Sequence, residues 1–480
     1  MNDLALIAPE ATLLALACGV LLIDAFVGKR APAATFWGAI VTVLLVLAQV
    51  ASYVPEAATF GFSGTLRVDV LGTVLKAFLL VLVLLSFFYA REYFNKRPQD
   101  ARGEYYPLAL FATLGMLVLV SASSLLTVYL GLELLSLSMY SMVAIQRDSV
   151  LASEAAMKYF VLGALASGML LYGMSMLYGV AGTLDLSELL IKVSNLEQQR
   201  TLLTFGLVFV VVGIAFKLGL VPFHMWVPDV YQGAATPVTQ FIGTAPKLAA
   251  FGMAMRLLVD GLNGLAEEWQ QMLIILAVLS MGVGNLLAIA QRNFKRMLAY
   301  STIAHMGFML LGLLSISAGG YAASMFYVTV YALMSMGAFG SIILLVSAHG
   351  ESDNLSDLAG LAKRSPWFAL ILLVLMFSMA GVPPFAGFWA KWFVLKEVIV
   401  ADYVWLAGLA VVFSLIGAYY YLRIVKIMYF DEPQTSQAIE ASADLKLVLS
   451  VNGLAVLLLG VVPNALMAVC ISATIPYLNG

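Results

Sequence analysis

The chain has 480 residues, of which 62% are apolar and only 11% are charged, and its formal net charge is −2. A soluble domain holds roughly 45–50% apolar and about 25% charged residues, so this excess of apolar side chains requires a membrane as solvent. The near-neutral charge gives no reason to expect a nucleic acid partner, and Cys18 and Cys470 form neither a disulfide framework nor a metal-ligand pattern.

Apolar stretches long enough to cross a bilayer, about 20 residues each, recur along nearly the whole chain. Asp3 stands where a secretory leader would carry basic residues, so the first apolar run is expected to remain as a helix. The pattern predicts an all-α, polytopic membrane protein with about 14 transmembrane helices. We place them near residues 4–26, 34–54, 73–91, 105–122, 124–146, 154–180, 201–219, 238–259, 269–290, 297–314, 323–347, 367–398, 402–428 and 445–475.

Two of these segments contain prolines and glycines that interrupt a helix, one near 221–237 and one near 381–387. Because broken helices at matching places are typical of internal repeats, we predict two inverted five-helix repeats, each containing one break. The resulting division is an N-terminal three-helix segment at 1–104, a first repeat at 105–260, a second, inverted repeat at 261–428, and a C-terminal helix at 429–480.

The basic residues predict an orientation. If the N-terminus lies outside, the inward loops hold fifteen lysines and arginines, Lys295 among them, and the outward loops hold five, including Arg67 and Arg256. This bias favours both termini on the outer side of the membrane.

The remaining five of the 25 basic residues are all lysines inside predicted spans: Lys76, Lys158, Lys217, Lys247 and Lys391. Charges at this depth are costly and usually mark ion or proton paths. A buried lysine can give up its proton, whereas an arginine stays charged. Lysine is therefore the basic residue that a proton path needs.

Four charged residues form the core of the predicted path. Glu133 lies mid-helix, out of reach of the interface, and we expect it to pair with Lys217 on the seventh span. Lys217 precedes the first break by five residues, Lys247 follows Pro246 on the next helix and is the expected central relay, and Lys391 follows the second break. For each, the alternative is a static ion pair or a lysine that reaches toward an interface.

Other ionisable residues are candidates for supporting roles. Lys158 lies about one turn inside its helix and is expected to compete for Glu133, and Lys76 is interpreted as interfacial. His305 suits a proton transfer because the ordinary pKa of a histidine side chain is about 6.5, close to physiological pH. His224 and Asp229 lie within the first break and could face water there, or could simply bond to the local backbone.

Several stretches resemble a known family. They are YLGLELLSLSMY, FKLGLVPFHMWVPDVYQGAATPV, APKLA, QRNFKRMLAYSTIAHMG and GVPPFAGFWAKWFVL. Together they are similar to the antiporter-like membrane subunits of complex I, the respiratory NADH:quinone oxidoreductase, over nearly the whole chain. Lys391, and the absence of a long lateral helix after the last span, distinguish the chain from the branches of that family that are expected to carry a glutamate at that position or a lateral helix.

The resemblance implies a proton-translocating subunit of a redox-driven enzyme in a bacterial inner membrane. It implies one half-channel through Glu133, Lys217 and Lys247, and a second from Lys247 past His305 to Lys391. Flavin, iron–sulfur clusters and quinone would belong to partner subunits, with no cofactor or metal on this chain, whose sequence lacks phosphate-binding and metal-binding motifs. The alternatives are a subunit of a multi-subunit sodium/proton antiporter, and a structural membrane subunit whose charges only hold helices together.

Overall fold

The computed structural model describes residues 3–28, 30–97, 103–195, 197–346, 350–351, 353–433, 439 and 441–479. Its α-helices are α1 (Asp3–Leu6), α2 (Ala8–Ile23), α3 (Pro32–Ser52), α4 (Val70–Lys96), α5 (Tyr105–Val120), α6 (Leu125–Val143), α7 (Val150–Ala181), α8 (Leu186–Asn195), α9 (Arg200–Leu218), α10 (Trp226–Gly233), α11 (Thr236–Ile242), α12 (Ala245–Ala254), α13 (Ala266–Ile289), α14 (Phe294–Leu313), α15 (Ala318–Leu345), α16 (Leu361–Arg364), α17 (Pro366–Ala380), α18 (Ala386–Val400), α19 (Val404–Phe430), α20 (Ala443–Val461) and α21 (Pro463–Thr474). Two π-helical stretches, Asp24–Gly28 and Met255–Gly261, continue α2 and α12.

The all-α membrane architecture is confirmed. Within the described residues, 11 helices are long and apolar enough to cross a bilayer, and Tyr105–Val120 and Pro366–Ala380 are shorter apolar helices. Helix occupies each segment where the sequence predicted a span, and both predicted interruptions are present, after α9 and after α17. The count of fourteen spans and the inverted repeats remain predictions.

Two elements lie where the sequence suggested only loops. Strand β1 (Thr59–Gly61) pairs antiparallel with β2 (Leu66–Val68). Their turn places Phe62, Ser63 and Gly64 in the left-handed region, with φ of 51°, 56° and 87°. Helix α8 buries Leu186, Leu189 and Val193 on one face, as expected of an amphipathic helix beside a membrane domain. These elements are too short to carry a hydropathy signal of their own.

The described chain folds into two compact units. The first draws on residues 1–87, 102–218 and 245–273, and the second on 88–101, 219–244 and 274–480. The chain therefore leaves the first unit after Leu218, contributes α10 and α11 to the second, and returns with α12.

In the first unit, α5 and α6 pack with their backbones in contact. A side-chain carbon at Gly115 would lie 2.6 Å from the amide nitrogen of Leu135, and one at Gly131 would lie 2.9 Å from that of Leu119. Since only glycine permits this approach, these two positions determine how closely α6 sits against its neighbour. Helix α6 carries Glu133.

In the second unit, α15 is the central helix. It contacts α11, α14, α17, α18, α20 and α21, and 89% of its apolar stretch is buried. Small residues are spread along it and let neighbouring helices approach, and the phenol groups of Tyr327 and Tyr331 reach hydrogen-bond partners. Helix α15 thereby positions Tyr327 and Tyr331 inside the unit.

A buried charge cluster holds both Arg67 and Arg256. Arg67 lies in β2, between α3 and α4, whereas Arg256, predicted to lie in a loop, lies in the π-helical continuation of α12. Arg256, only 1% exposed, binds Asp69 through both terminal nitrogens at 2.7 Å, Asp260 at 2.9 Å and the Val120 carbonyl at 2.9 Å. Arg67 also binds Asp69, at 2.8 Å. The cluster joins the start of α4, the end of α5 and the π-helical continuation of α12.

The ionisation of Asp69 is part of this clamp. Burial alone would raise the pKa of Asp69, but the charge and hydrogen bond of Arg256, the charge of Arg67 and the Gly72 amide outweigh burial and lower the pKa to about 2. A lowered carboxyl pKa adds stability above its unfolded value of 3.8 and loses that stability as pH falls toward 2.

We predict that Asp69→Asn destabilises the protein by about 3–5 kcal/mol, because it leaves the buried Arg256 without its bidentate carboxylate. The matched control is Asp444→Asn, which removes the exposed pair with Arg91 and should cost only about 0–1 kcal/mol. The measurement is the thermal midpoint of the purified protein in detergent. Equal midpoints for the two variants would contradict the clamp.

Candidate functional site

The predicted ion pair between Glu133 and Lys217 is wrong as a direct contact. The Lys217 ammonium donates to the hydroxyl of Ser136 at 2.7 Å, and the Ser167 hydroxyl donates to Glu133 Oε1. Among the described residues, no carboxylate lies within 4 Å of Lys217. Ser136 follows Glu133 by almost one turn of α6, so it presents a hydroxyl where the carboxylate was expected.

A small cavity lies between these groups. It has a volume of about 10 Å³ and is lined by Ser136, Tyr140, Ser167 and Lys217, together with five apolar or glycine residues. That volume is about the minimum for one water molecule, and the four polar lining groups would satisfy it. A water here would connect the Ser167–Glu133 bond to the amine of Lys217 by hydrogen bonds.

Lys247 lies where the first helix break exposes carbonyl groups. Helix α9 ends at Leu218, and Gly219 follows with a φ of 81°. The last carbonyls of a helix lack intrahelical partners and carry its negative dipole end. Lys247 is 1% exposed, and its ammonium donates hydrogen bonds to two of these carbonyls, that of Lys217 at 3.1 Å and that of Leu218 at 3.0 Å.

Lys391 uses the second break in the same way. Helix α17 ends at Ala380, and Gly381 follows with a φ of 86°. The Lys391 ammonium donates to the Ala380 carbonyl at 2.9 Å and to the Ser414 hydroxyl at 2.9 Å, and lies 5.1 Å from the centre of the Phe308 ring. Gly381 is required twice, for its left-handed backbone and because a side chain there would meet the lysine.

His305 is the centre of a chain of hydroxyl groups in the second unit. Its Nδ1 lies 2.7 Å from the Tyr327 hydroxyl, and its Nε2 lies 2.9 Å from the Tyr421 hydroxyl. The Tyr421 hydroxyl in turn lies 2.5 Å from Ser301 Oγ. Both ring nitrogens are therefore hydrogen-bonded. Phe308, three residues further along α14, stacks on Tyr327 and lies beside the ammonium of Lys391. None of the three hydroxyl partners carries a formal charge in its ordinary state.

The remaining predicted site residues lie apart from these contacts. Lys158 pairs with Glu154 at 2.8 Å, and both side chains are about half-exposed. Asp229 binds Arg296 at 2.7 Å in a part-buried pair. His224 lies in the turn between α9 and α10, and its Nδ1 is buried without a hydrogen bond to a described residue.

Two buried lysines that the sequence assigned to other places lie in ion pairs. Lys76, predicted to be interfacial, is buried and contacts Glu10 at 2.5 Å. Lys295, predicted to lie in a loop, is buried and contacts Glu351 at 2.6 Å. Glu10 lies in the first apolar run, which was a usable signal for a buried partner, but Lys295 stands beside Arg296 in a short polar stretch that gave none.

The partners therefore divide the buried lysines into two groups. Lys217, Lys247 and Lys391 donate to hydroxyl or carbonyl oxygens, whereas Lys76 and Lys295 contact carboxylates. A neutral oxygen stabilises an ammonium but does not require it to stay charged, whereas loss of the proton beside a carboxylate leaves a buried charge uncompensated. The first group is chemically suited to bind and release protons.

Comparison with known proteins gives a consistent picture. Residues 122–417 match the family model described as NADH:quinone oxidoreductase/Mrp antiporter, transmembrane. The chain is 56% identical over 465 residues to NADH-quinone oxidoreductase subunit N of Thiobacillus denitrificans, covering 97% of this chain and 96% of the relative. A chain of respiratory complex I from Thermus thermophilus is similar with a TM-score of 0.81 and 32% identity, covering 96% and 98% of the two chains. A chain of the Mrp complex from Dietzia is similar in fold, with a TM-score of 0.82 at 20% identity and coverage of 98% and 97%.

Proposed function

Because the chain belongs to the NADH:quinone oxidoreductase/Mrp antiporter transmembrane family, we propose that it translocates protons as an antiporter-like membrane subunit of an NADH-quinone oxidoreductase. One observation carries this proposal beyond the likeness. Three buried lysines, Lys217, Lys247 and Lys391, donate to neutral oxygens beside two broken helices. Neutral oxygens stabilise an ammonium without requiring it to keep its proton, so such amines can exchange one.

The first part of the proposed path runs within the first unit. Glu133 receives a proton from the inner side, and the hydrogen bonds through Ser167, the small cavity and Ser136 pass it to Lys217. Lys217 and Lys247 are neighbours at the end of α9, because the ammonium of Lys247 binds the carbonyl of Lys217 itself. A positive charge on one amine disfavours a positive charge on the other, so protonation of Lys217 promotes release from Lys247.

The second part of the path runs within the second unit. His305 exchanges protons through the hydroxyls of Tyr327 and Tyr421, and Lys391 is the terminal relay toward the outer side. Carbonyl groups at the end of α17 stabilise the charged form of Lys391, and Ser414 offers an oxygen that can accept or donate. Lys158, His224 and Asp229 take at most supporting roles, since each lies outside these contacts.

The bacterial relatives and the apolar helices together imply a multi-pass protein of the inner membrane, beside other membrane-arm subunits. We further propose that both termini lie on the outer side, which the bias of basic residues supports. We also propose that flavin, iron–sulfur clusters and quinone bind to partner subunits, and that the redox reaction there drives proton movement here. This chain would then contribute to the enzyme through transport alone.

A multi-subunit sodium/proton antiporter is the alternative function. The likeness to the Mrp chain, at 20% identity, supports a shared fold and no more. The relative at 56% identity is named as an oxidoreductase subunit, and this identity extends over nearly the full length of both chains. The oxidoreductase assignment therefore has the stronger support.

We predict that gentle purification of the tagged chain from its native membrane recovers NADH-oxidising subunits with it. Proton uptake by vesicles should then depend on NADH and remain unchanged when sodium is replaced by potassium. Recovery without flavin-containing partners, together with sodium-dependent proton exchange, would favour the antiporter.

We predict that Lys247→Arg leaves the complex assembled but lowers NADH-driven proton translocation by at least about tenfold, because arginine retains the charge and cannot release the proton. Assembly is measured as the NADH:ferricyanide reductase activity that stays bound to washed membrane vesicles, because the NADH-oxidising subunits remain there only when they are attached to the membrane arm. Proton translocation is measured in vesicles and divided by that activity. Undiminished translocation in this variant would exclude Lys247 as a relay.

We predict that Gly381→Ala lowers translocation more than Gly182→Ala does. A side-chain carbon at Gly381 would lie 2.9 Å from Cδ and 3.2 Å from Nζ of Lys391, which displaces the amine from the Ala380 carbonyl. Gly182 is the control because it has a similar left-handed φ of 67° but nothing within 4 Å. Equal translocation per assembled complex in the two variants would mean that backbone strain, rather than the lysine, explains the loss.

A further inference from the structure

A buried ion pair in the second unit bridges the gap between α10 and α11. Lys295, near the start of α14, contacts Glu351 at 2.6 Å and donates to the Ala234 carbonyl at 3.0 Å. Ala234 is the residue that follows α10, so this carbonyl is one that the end of the helix leaves without an intrahelical partner. Lys295 thus caps α10 much as Lys391 caps α17.

The carboxylate of Glu351 holds the other side of the gap. It accepts hydrogen bonds from the Thr236 backbone amide at 3.2 Å, the Thr236 hydroxyl at 2.6 Å and the Tyr93 hydroxyl at 2.5 Å. Thr236 is the first residue of α11, where the amide has no helical carbonyl to bind. With Lys295 included, four donors surround one carboxylate, which satisfies nearly all its acceptor capacity.

Both members of this pair are expected to keep their charges, whereas the proposed relay lysines gain and lose a proton. Burial alone would raise the pKa of Glu351, but the charge of Lys295 and hydrogen bonds from Lys295, Thr236 and Tyr93 outweigh burial and lower the pKa. Glu351 therefore stays ionised at neutral pH. Asp353 lies 3.9 Å from the same ammonium and adds a second negative charge beside it. Removing the proton from Lys295 would leave this negative charge buried without compensation.

The gap that the Lys295–Glu351 pair bridges lies in the segment that links two of the relay lysines. Residues 219–244, which include α10 and α11, connect the helix of Lys217 directly to the helix of Lys247. We propose that Lys295 and Glu351 form a positioning pair that fixes the α10–α11 gap, and with it the course of the chain between two relay lysines, without carrying protons. This inference rests on the proposed function, since it assumes that Lys217 and Lys247 carry the protons.

Substitution by arginine distinguishes positioning from proton transfer. Arginine keeps the positive charge and the hydrogen-bond donors but cannot release a proton. In the intact complex, Lys295→Arg should therefore retain more than about half of the proton translocation per NADH oxidised, whereas Lys295→Met and Glu351→Gln should each lower it by about fivefold or more. Lys363→Met is the matched control: it removes an exposed lysine–glutamate pair of the same unit and should change translocation little.

The translocation measured in these variants decides whether Lys295 positions the chain or carries protons. If Lys295→Arg loses as much translocation as Lys247→Arg, Lys295 carries protons and the proposal is overturned. Full translocation in Lys295→Met also overturns it. If Lys247→Arg pumps normally, the proposed function fails, while the comparison of Lys295→Arg with Lys295→Met still reports whether position 295 needs only its charge.

A milder substitution keeps the test decisive if the Met and Gln variants fail to assemble. Thr236→Val removes one hydroxyl donor to Glu351 and retains both charges of the pair. Loss of one hydrogen bond to a charged group predicts an approximately two- to tenfold lower ratio of protons translocated to NADH oxidised. An unchanged ratio in the assembled Thr236→Val complex would overturn the positioning role.

Discussion

The central physical constraint on this protein is the cost of burying ammonium groups away from water. Each buried lysine must replace its lost hydration with protein oxygens, and the kind of oxygen decides what the lysine can do next. Carboxylates stabilise the charge and hold the proton in place, as at Lys76 and Lys295. Hydroxyls and carbonyls stabilise it while leaving proton release possible, as at Lys217 and Lys391.

The two broken helices are the source of many of these neutral oxygens. A helix that continues uses its carbonyls internally, whereas a helix that stops after Leu218 or Ala380 leaves them available to an amine. Glycine follows each stop in a left-handed conformation, which turns the chain away. The same arrangement thus occurs twice, with the lysine supplied by the following helix in one case and by the second half of the broken helix in the other.

Hydropathy and proline placement predicted the helices, both breaks and the lysines that are buried beside them. Long apolar runs indicate membrane helices, and prolines within such runs indicate where a helix is interrupted. The hydrogen-bond partners of these lysines were harder to predict from the sequence. Glu133 and Lys217 do not touch directly, since Ser136, almost a turn from Glu133, offers the oxygen that binds the amine. The carbonyls that bind Lys247 and Lys391 belong to the backbone, which has no side-chain signature. Lys295 and Arg256 stand near the ends of apolar runs, where a buried ion pair and a loop have the same local sequence.

The distinction between the two groups of lysines can be observed on the nitrogen atoms themselves. With side-chain ¹⁵N-labelled lysine in the intact complex, and single arginine substitutions to assign the signals, solid-state NMR separates ammonium from neutral amine. During NADH-driven turnover, we expect Lys247 to populate both forms and Lys295 to remain an ammonium. A Lys247 signal that stays purely ammonium while protons are translocated would contradict the account.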